Sequence, residues 1–94
     1  MSRQSRIVDR LTQAFAPQRL EVEDDSARHA GHAGARQGGE THFNVSMASV
    51  AFEGMSRVAR SRAVHEALAA EFAEGLHALS LTLRAPSELA AEGA

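Results

Sequence analysis

Between Val64 and Leu83 the spacing of apolar residues changes from four to two, and that change limits the fold more than any single residue type does. Val64, Leu68 and Phe72 recur at i, i+4 and i+8, the buried stripe of a long helix that Gly75 ends. From Leu76 the period is that of a strand. His77, Leu79, Leu81 and Leu83 share one face, and Ala78, Ser80, Thr82 and Arg84 share the other. Pro86 stops this strand, and Ser87 begins a short helix toward Ala94.

The same test applied upstream gives the remaining elements. Ser2 or Ser5 is placed to cap a helix whose face carries Ile7, Val8, Leu11 and Phe15, and Pro17 ends it. Leu20 and Val22 alternate with Glu21 and Glu23 as a half-exposed strand. Phe43, Val45 and Met47 alternate with His42, Asn44, Ser46 and Ala48 as a second one. Phe52-Glu53-Gly54 turns the chain, and Ser56 caps the next helical stretch. A break near Arg60 to Arg62 is expected to divide that stretch into a short helix and a long one.

The predicted order is therefore αββααβ, with a last short α, in the α+β class. Successive strands one and two pair antiparallel, and the helical crossover makes strands two and three parallel. Helices are expected on one face of a three-stranded mixed sheet. A chain of 94 residues allows one domain with one core, here an ordered part from about 5 to 86 and a tail from about 87 to 94.

The segment from Glu21 to Phe43, EVEDDSARHAGHAGARQGGETHF, is where function is sought first. An ordinary hairpin loop needs two to five residues, whereas roughly fifteen here, about residues 25 to 39, lack apolar periodicity. His29 and His32 lie among Gly31, Gly34, Gly38 and Gly39. Glycines let the backbone bend close to a ligand, and neutral imidazole is a common metal ligand. The loop reads as an adaptable arm with metal-binding potential.

Composition narrows the chemistry. The chain has no Cys, so a bound metal must use His, Asp or Glu, and a thiolate-held cluster would need a partner's sulfur. No apolar run approaches the roughly 20 residues that span a bilayer, and MSRQSRIVDR is too polar for a secretory signal. A cytosolic location without membrane contact is the expectation. The net charge of −2 gives no global attraction to nucleic acid, so such a role would rest on a local patch.

Several separated motifs agree in order and spacing with one family. Asp24-Asp25-Ser26 followed by Arg28-His29, then Gly39-Glu40-Thr41-His42-Phe43, Phe52-Glu53-Gly54, an Arg-rich helix start and Leu76-His77-Ala78-Leu79 resemble the BolA family from about residue 5 to 86. The resemblance implies a fold similar to the type II KH fold. It also implies that His77 ligates a [2Fe–2S] cluster shared with a monothiol glutaredoxin and its glutathione, for cluster delivery or iron and redox sensing. His29 matches the loop position of the second ligand. His32, three residues on, could substitute for it, chelate beside it or be a bystander. Mixed Cys and His ligation raises a cluster's potential, and imidazole binds only when neutral, so capture weakens as pH falls through the histidine range. Outside such a complex the chain is expected to be a monomer without a cofactor.

Read from its residues alone, His77 is a half-buried histidine at a strand edge. His42 is expected to face solvent or to pair, and His65 to pack or lie on the surface of the long helix; neither is assigned as a ligand. The second function class is DNA binding through Arg57, Arg60 and Arg62 at the helix-turn-helix region; the family resemblance implies that such binding would serve a transcriptional regulator of stress response and cell morphology. Gly54-Met55-Ser56-Arg57 lacks the second glycine of a GXXG clamp, and Ser61 stands where the family usually has His. An enzyme is the reading with least support: no nucleophile elbow or Walker-type loop appears, and Glu21, Glu23, Asp24 and Asp25 fit an exposed strand running into a turn.

Overall fold

A computed structural model describes residues 2–25 and 41–92. Helix α1 (Arg3–Phe15) starts at Ser2, whose side chain accepts from the Ser5 amide, and stops at Ala16, which takes a left-handed conformation with φ 43° just before Pro17. Strand β1 (Arg19–Asp24) pairs antiparallel with β2 (His42–Ala48), with Val22 opposite Val45 and Asp24 opposite Phe43. A 3₁₀ turn over Val50–Phe52 and Gly54, at φ 76°, lead to Ser56, which caps α2 (Arg57–Ala67). Next come α3 (Ala69–Ala73), β3 (Ala78–Arg84) and α4 (Pro86–Glu92).

The sheet order is β1-β2-β3, with β3 parallel to β2 and His42 opposite Ala78. This is the α+β mixed sheet expected from the periodicity, and β2 is central because it pairs with β1 along one edge and β3 along the other. Phe43, Val45 and Met47 point into one core with Ile7 and Leu11 of α1 and Val64 and Leu68 of α2, all at 2% exposure or less. Phe52 completes it and packs its ring against Phe15, with centroids 5.2 Å apart. The opposite face carries Glu21, Glu23, Asn44, Ser46, Ser80 and Thr82, and these polar side chains line an open hollow.

Two local expectations are corrected. The break in the helical stretch falls at Leu68, not between Arg60 and Arg62: α2 runs unbroken through those arginines, and the chain turns where Leu68 leaves helical geometry and plugs the core. Arg60 is not a surface cation. It lies one helical turn before Val64 on the same buried stripe and is 6% exposed. Its Nε donates to Met55 O at 3.1 Å, its Nη1 donates to Leu83 O and pairs with Glu88, and its guanidinium lies over the Phe52 ring.

Glu88 makes α4 a clasp on this arginine. The bond from the Ala85 amide, and then the one from Arg60, hold the Glu88 carboxyl below its ordinary value of 4.5. A depressed carboxyl contributes stability above its unfolded value, and that contribution is lost as pH falls through the folded value. The amides of Glu88 and Leu89, which donate to Ala85 O, should therefore stay protected at pH 4.5 and lose protection only in more acid solution. In Glu88→Gln that acid-dependent step should be missing from the hydrogen-exchange profile, and its persistence would place its origin elsewhere.

Candidate metal-ligand site

The site begins with a helix ending. At the close of α3 the Leu76 amide donates to Glu71 O at 2.9 Å and the Gly75 amide to Phe72 O at 3.3 Å, with Gly75 at φ 119°. This is a Schellman ending, which needs a residue without a side chain at the left-handed position and a buried apolar residue after it. Leu76 is that residue, at 4% exposure. The next backbone group belongs to His77, and its direction is fixed at once. The amides of His77 and Ala78 both donate to the carbonyl of Thr41, at 2.8 and 3.1 Å.

His77 thus sits one residue ahead of β3, with an exposed side chain that does not follow the leucines into the core. Its ring meets that of His42, with centroids 5.2 Å apart and planes tilted by 52°. Of the two roles that alternation left open for His42, facing solvent or pairing, it takes the second: it is 9% exposed, and its Nδ1 shares a 2.9 Å hydrogen bond with Thr41 Oγ1. Alternation assigned it to the right face of β2. The parallel register, His42 opposite Ala78, is what brings it beside His77.

His29 and His32 lie outside the described residues. The residues that flank the segment bearing them, Asp25 and Thr41, are described, and each is tied down, Asp25 to His42 and Thr41 to His77. The Asp25 amide donates to His42 O at 2.8 Å, and Thr41 holds His77 as above. Among the described residues no three His, Cys, Asp or Glu side chains gather to hold a metal ion. His65 is exposed and belongs to helix packing, with its Nδ1 against Ser61 O and its ring stacked on Phe72 at 5.4 Å. Of the three arginines assigned to nucleic acid, Arg57 and Arg62 are exposed and Arg60 is buried; Arg57 and Arg60 line one hollow with Arg84, and Arg62 does not line it.

Glu71 was missed by sequence reasoning. Its carboxylate, with a side chain 2% exposed, meets three arginines of α1: Arg6 at 3.1 Å, Arg10 at 3.2 Å and Arg3 at 3.6 Å. Arg3 also donates to Glu74 O at 2.7 Å. The signal was present in the spacing. Glu71 falls three residues after Leu68, on the buried stripe, and Arg3, Arg6 and Arg10 share one face of α1. The network fastens α1 to the helix ending that delivers His77.

Comparison with known proteins places this architecture. The family model described as "BolA-like protein" matches residues 11–88. Protein BOLA1, chloroplastic, of Arabidopsis thaliana is 47% identical over 89 residues, which cover 93% of this chain and 56% of that protein. SufE-like protein 1, chloroplastic/mitochondrial, of the same plant is 46% identical over 92 residues, covering 94% of this chain and 25% of that protein. The chain thus spans about half of one curated relative and a quarter of the other. The solved BolA domain of SufE1 from Arabidopsis thaliana superposes with a TM-score of 0.85 at 45% identity, over 94% of this chain and 96% of that domain. Among the described residues no helix is long and apolar enough to cross a membrane. With the family model matched over most of its length and the same fold in a relative at this identity, the chain belongs to the BolA-like protein family.

Proposed function

We propose that this protein is a non-enzymatic, cytosolic partner of a monothiol glutaredoxin and shares a [2Fe–2S] cluster with it through His77, for cluster delivery or for iron and redox sensing. The observation that carries the reading is the exposed His77 ring next to a backbone fixed by two hydrogen bonds to Thr41, the residue that follows the segment bearing His29 and His32. These residues suit the group: they offer imidazole nitrogen and no thiolate, so cysteine sulfur would come from the glutaredoxin and its glutathione. His77 would hold the cluster, with His29 or His32 as the second imidazole. Cys and His on different irons give a cluster of raised potential. The chain's own part is to present an imidazole at a fixed place and to exclude competing backbone motion there.

The DNA-binding alternative ranks second, because burial of Arg60 leaves it Arg57 and Arg62. Retention of a specific DNA at physiological salt would move it forward. The deciding experiment titrates a cluster-loaded monothiol glutaredoxin with this protein and follows visible absorption and circular dichroism. Wild type should give a spectral change saturating at one to one, and His77→Ala should give none. His29→Ala and His32→Ala then identify the second ligand. An unaltered change with His77→Ala would end the cluster reading as stated.

A further inference from the structure

We infer that Thr41 and His42 form a positioning element that fixes the ring of His77, a role that rests on His77 being the ligand proposed above. An exposed histidine directly after a turn ordinarily samples several rotamers, and a ligand that must be ordered on binding loses affinity for it. Here the ring has a wall. His42 stands 5.2 Å away, centroid to centroid, and is itself held by burial and by the 2.9 Å bond between its Nδ1 and Thr41 Oγ1.

Thr41 acts at both ends of this arrangement. Its carbonyl accepts the amides of His77 and Ala78, which sets where the His77 backbone lies, while its hydroxyl sets where the His42 ring lies. A single residue, 1% exposed, thereby references both rings to one point of the sheet. The role assigned to His42 is that of a wall: its Nδ1 is engaged by Thr41, and its ring stands against the neighbouring one. The arrangement belongs to a general pattern in which neighbours of a metal-binding histidine set its orientation.

The test has an arm that needs neither partner nor cluster. Three-bond NMR couplings about the His77 Cα–Cβ bond, measured on the isolated protein, should report one rotamer in wild type and averaging in His42→Ala. His42→Phe, which keeps a ring at that place, should restore the single rotamer. Thr41→Val, which removes the hydroxyl, should average it, and Thr41→Ser should restore it, so the inference stays testable if His42→Ala does not fold. In the glutaredoxin titration His42→Ala should weaken the association by about 10-fold or more, with His42→Phe close to wild type.

A single rotamer retained in both His42→Ala and Thr41→Val would overturn the inference. So would a loss of association in His42→Phe as large as in His42→Ala, since the imidazole itself would then be required. If couplings average in His42→Ala while its association stays at the wild-type level, the clamp has no role in cluster capture and the proposal fails, although His77 remains the ligand. A titration indifferent to His77→Ala removes the ligand reading and the positioning role with it, and the couplings then speak only to ring order.

Discussion

Replacing Glu71 with Ala should lower the stability of this protein by about 3 kcal/mol, because it leaves three arginines of α1 around a vacated, largely dry position. Arg6 and Arg10 have side chains 34% and 41% exposed and can turn to water, whereas Arg3, at 13%, has less room to do so. That difference keeps the expected loss at the lower end of the range for breaking a buried pair. Urea denaturation followed by circular dichroism measures it directly. The loss should persist in high salt, since the carboxylate is only 2% exposed and screening acts mainly on exposed charge. The amides of Leu76 and His77 should also exchange faster, because Glu71 and Glu74 are the points at which α1 grips the end of α3. A loss below about 1 kcal/mol would show that these arginines are effectively solvated in the folded protein.

Phe52→Ala should cost still more, about 4 kcal/mol, with a fall in Tm of roughly 15–30 °C. Phe52 is fully buried and leans on Phe15 of α1, and it lies under the Arg60 guanidinium. Truncation therefore removes an aromatic pair, opens a cavity and takes the floor from under a buried cation. For a domain of this length the whole stability is roughly 5–14 kcal/mol, so the variant should be near its folding limit at body temperature. Thermal unfolding with wild type as reference checks this, and a Tm within a few degrees of wild type would mean that the core closes over the gap.

The strands were legible because alternation is a local property. Phe43, Val45 and Met47 announce a buried face whatever packs on it, and the helical crossover after them settles that β3 lies parallel. The placement of His77 was only partly legible: the change of period after Gly75 put it at the start of β3, but the half-buried position on the leucine face is replaced by an exposed one a residue ahead of the strand. What stayed hidden depends on register and on charged residues inside apolar stripes. Arg60 precedes Val64 by one turn and Glu71 follows Leu68 by three residues, so both lie where a core residue belongs. Reading the arginine as a surface charge followed residue type and overlooked that position. The partner of His42 stayed hidden for a different reason. Alternation tells which face a residue takes, but only the pairing of β2 with β3 says that its lateral neighbour is the turn carrying His77.

The parallel pairing of β2 with β3 also gives the site a place in time. A hairpin joins strands that are close in sequence, whereas a parallel pair requires closure of the long crossover between its strands. His42 and His77 are juxtaposed at the starts of two such strands, so no chain lacking a docked β3 holds the pair. A nascent or partly unfolded molecule would carry every histidine of the sequence yet lack the ring contact and the double hydrogen bond at Thr41. The geometry on which cargo acceptance is proposed to depend is thereby a product of a long-range closure, so that on this proposal docking of β3 would precede loading.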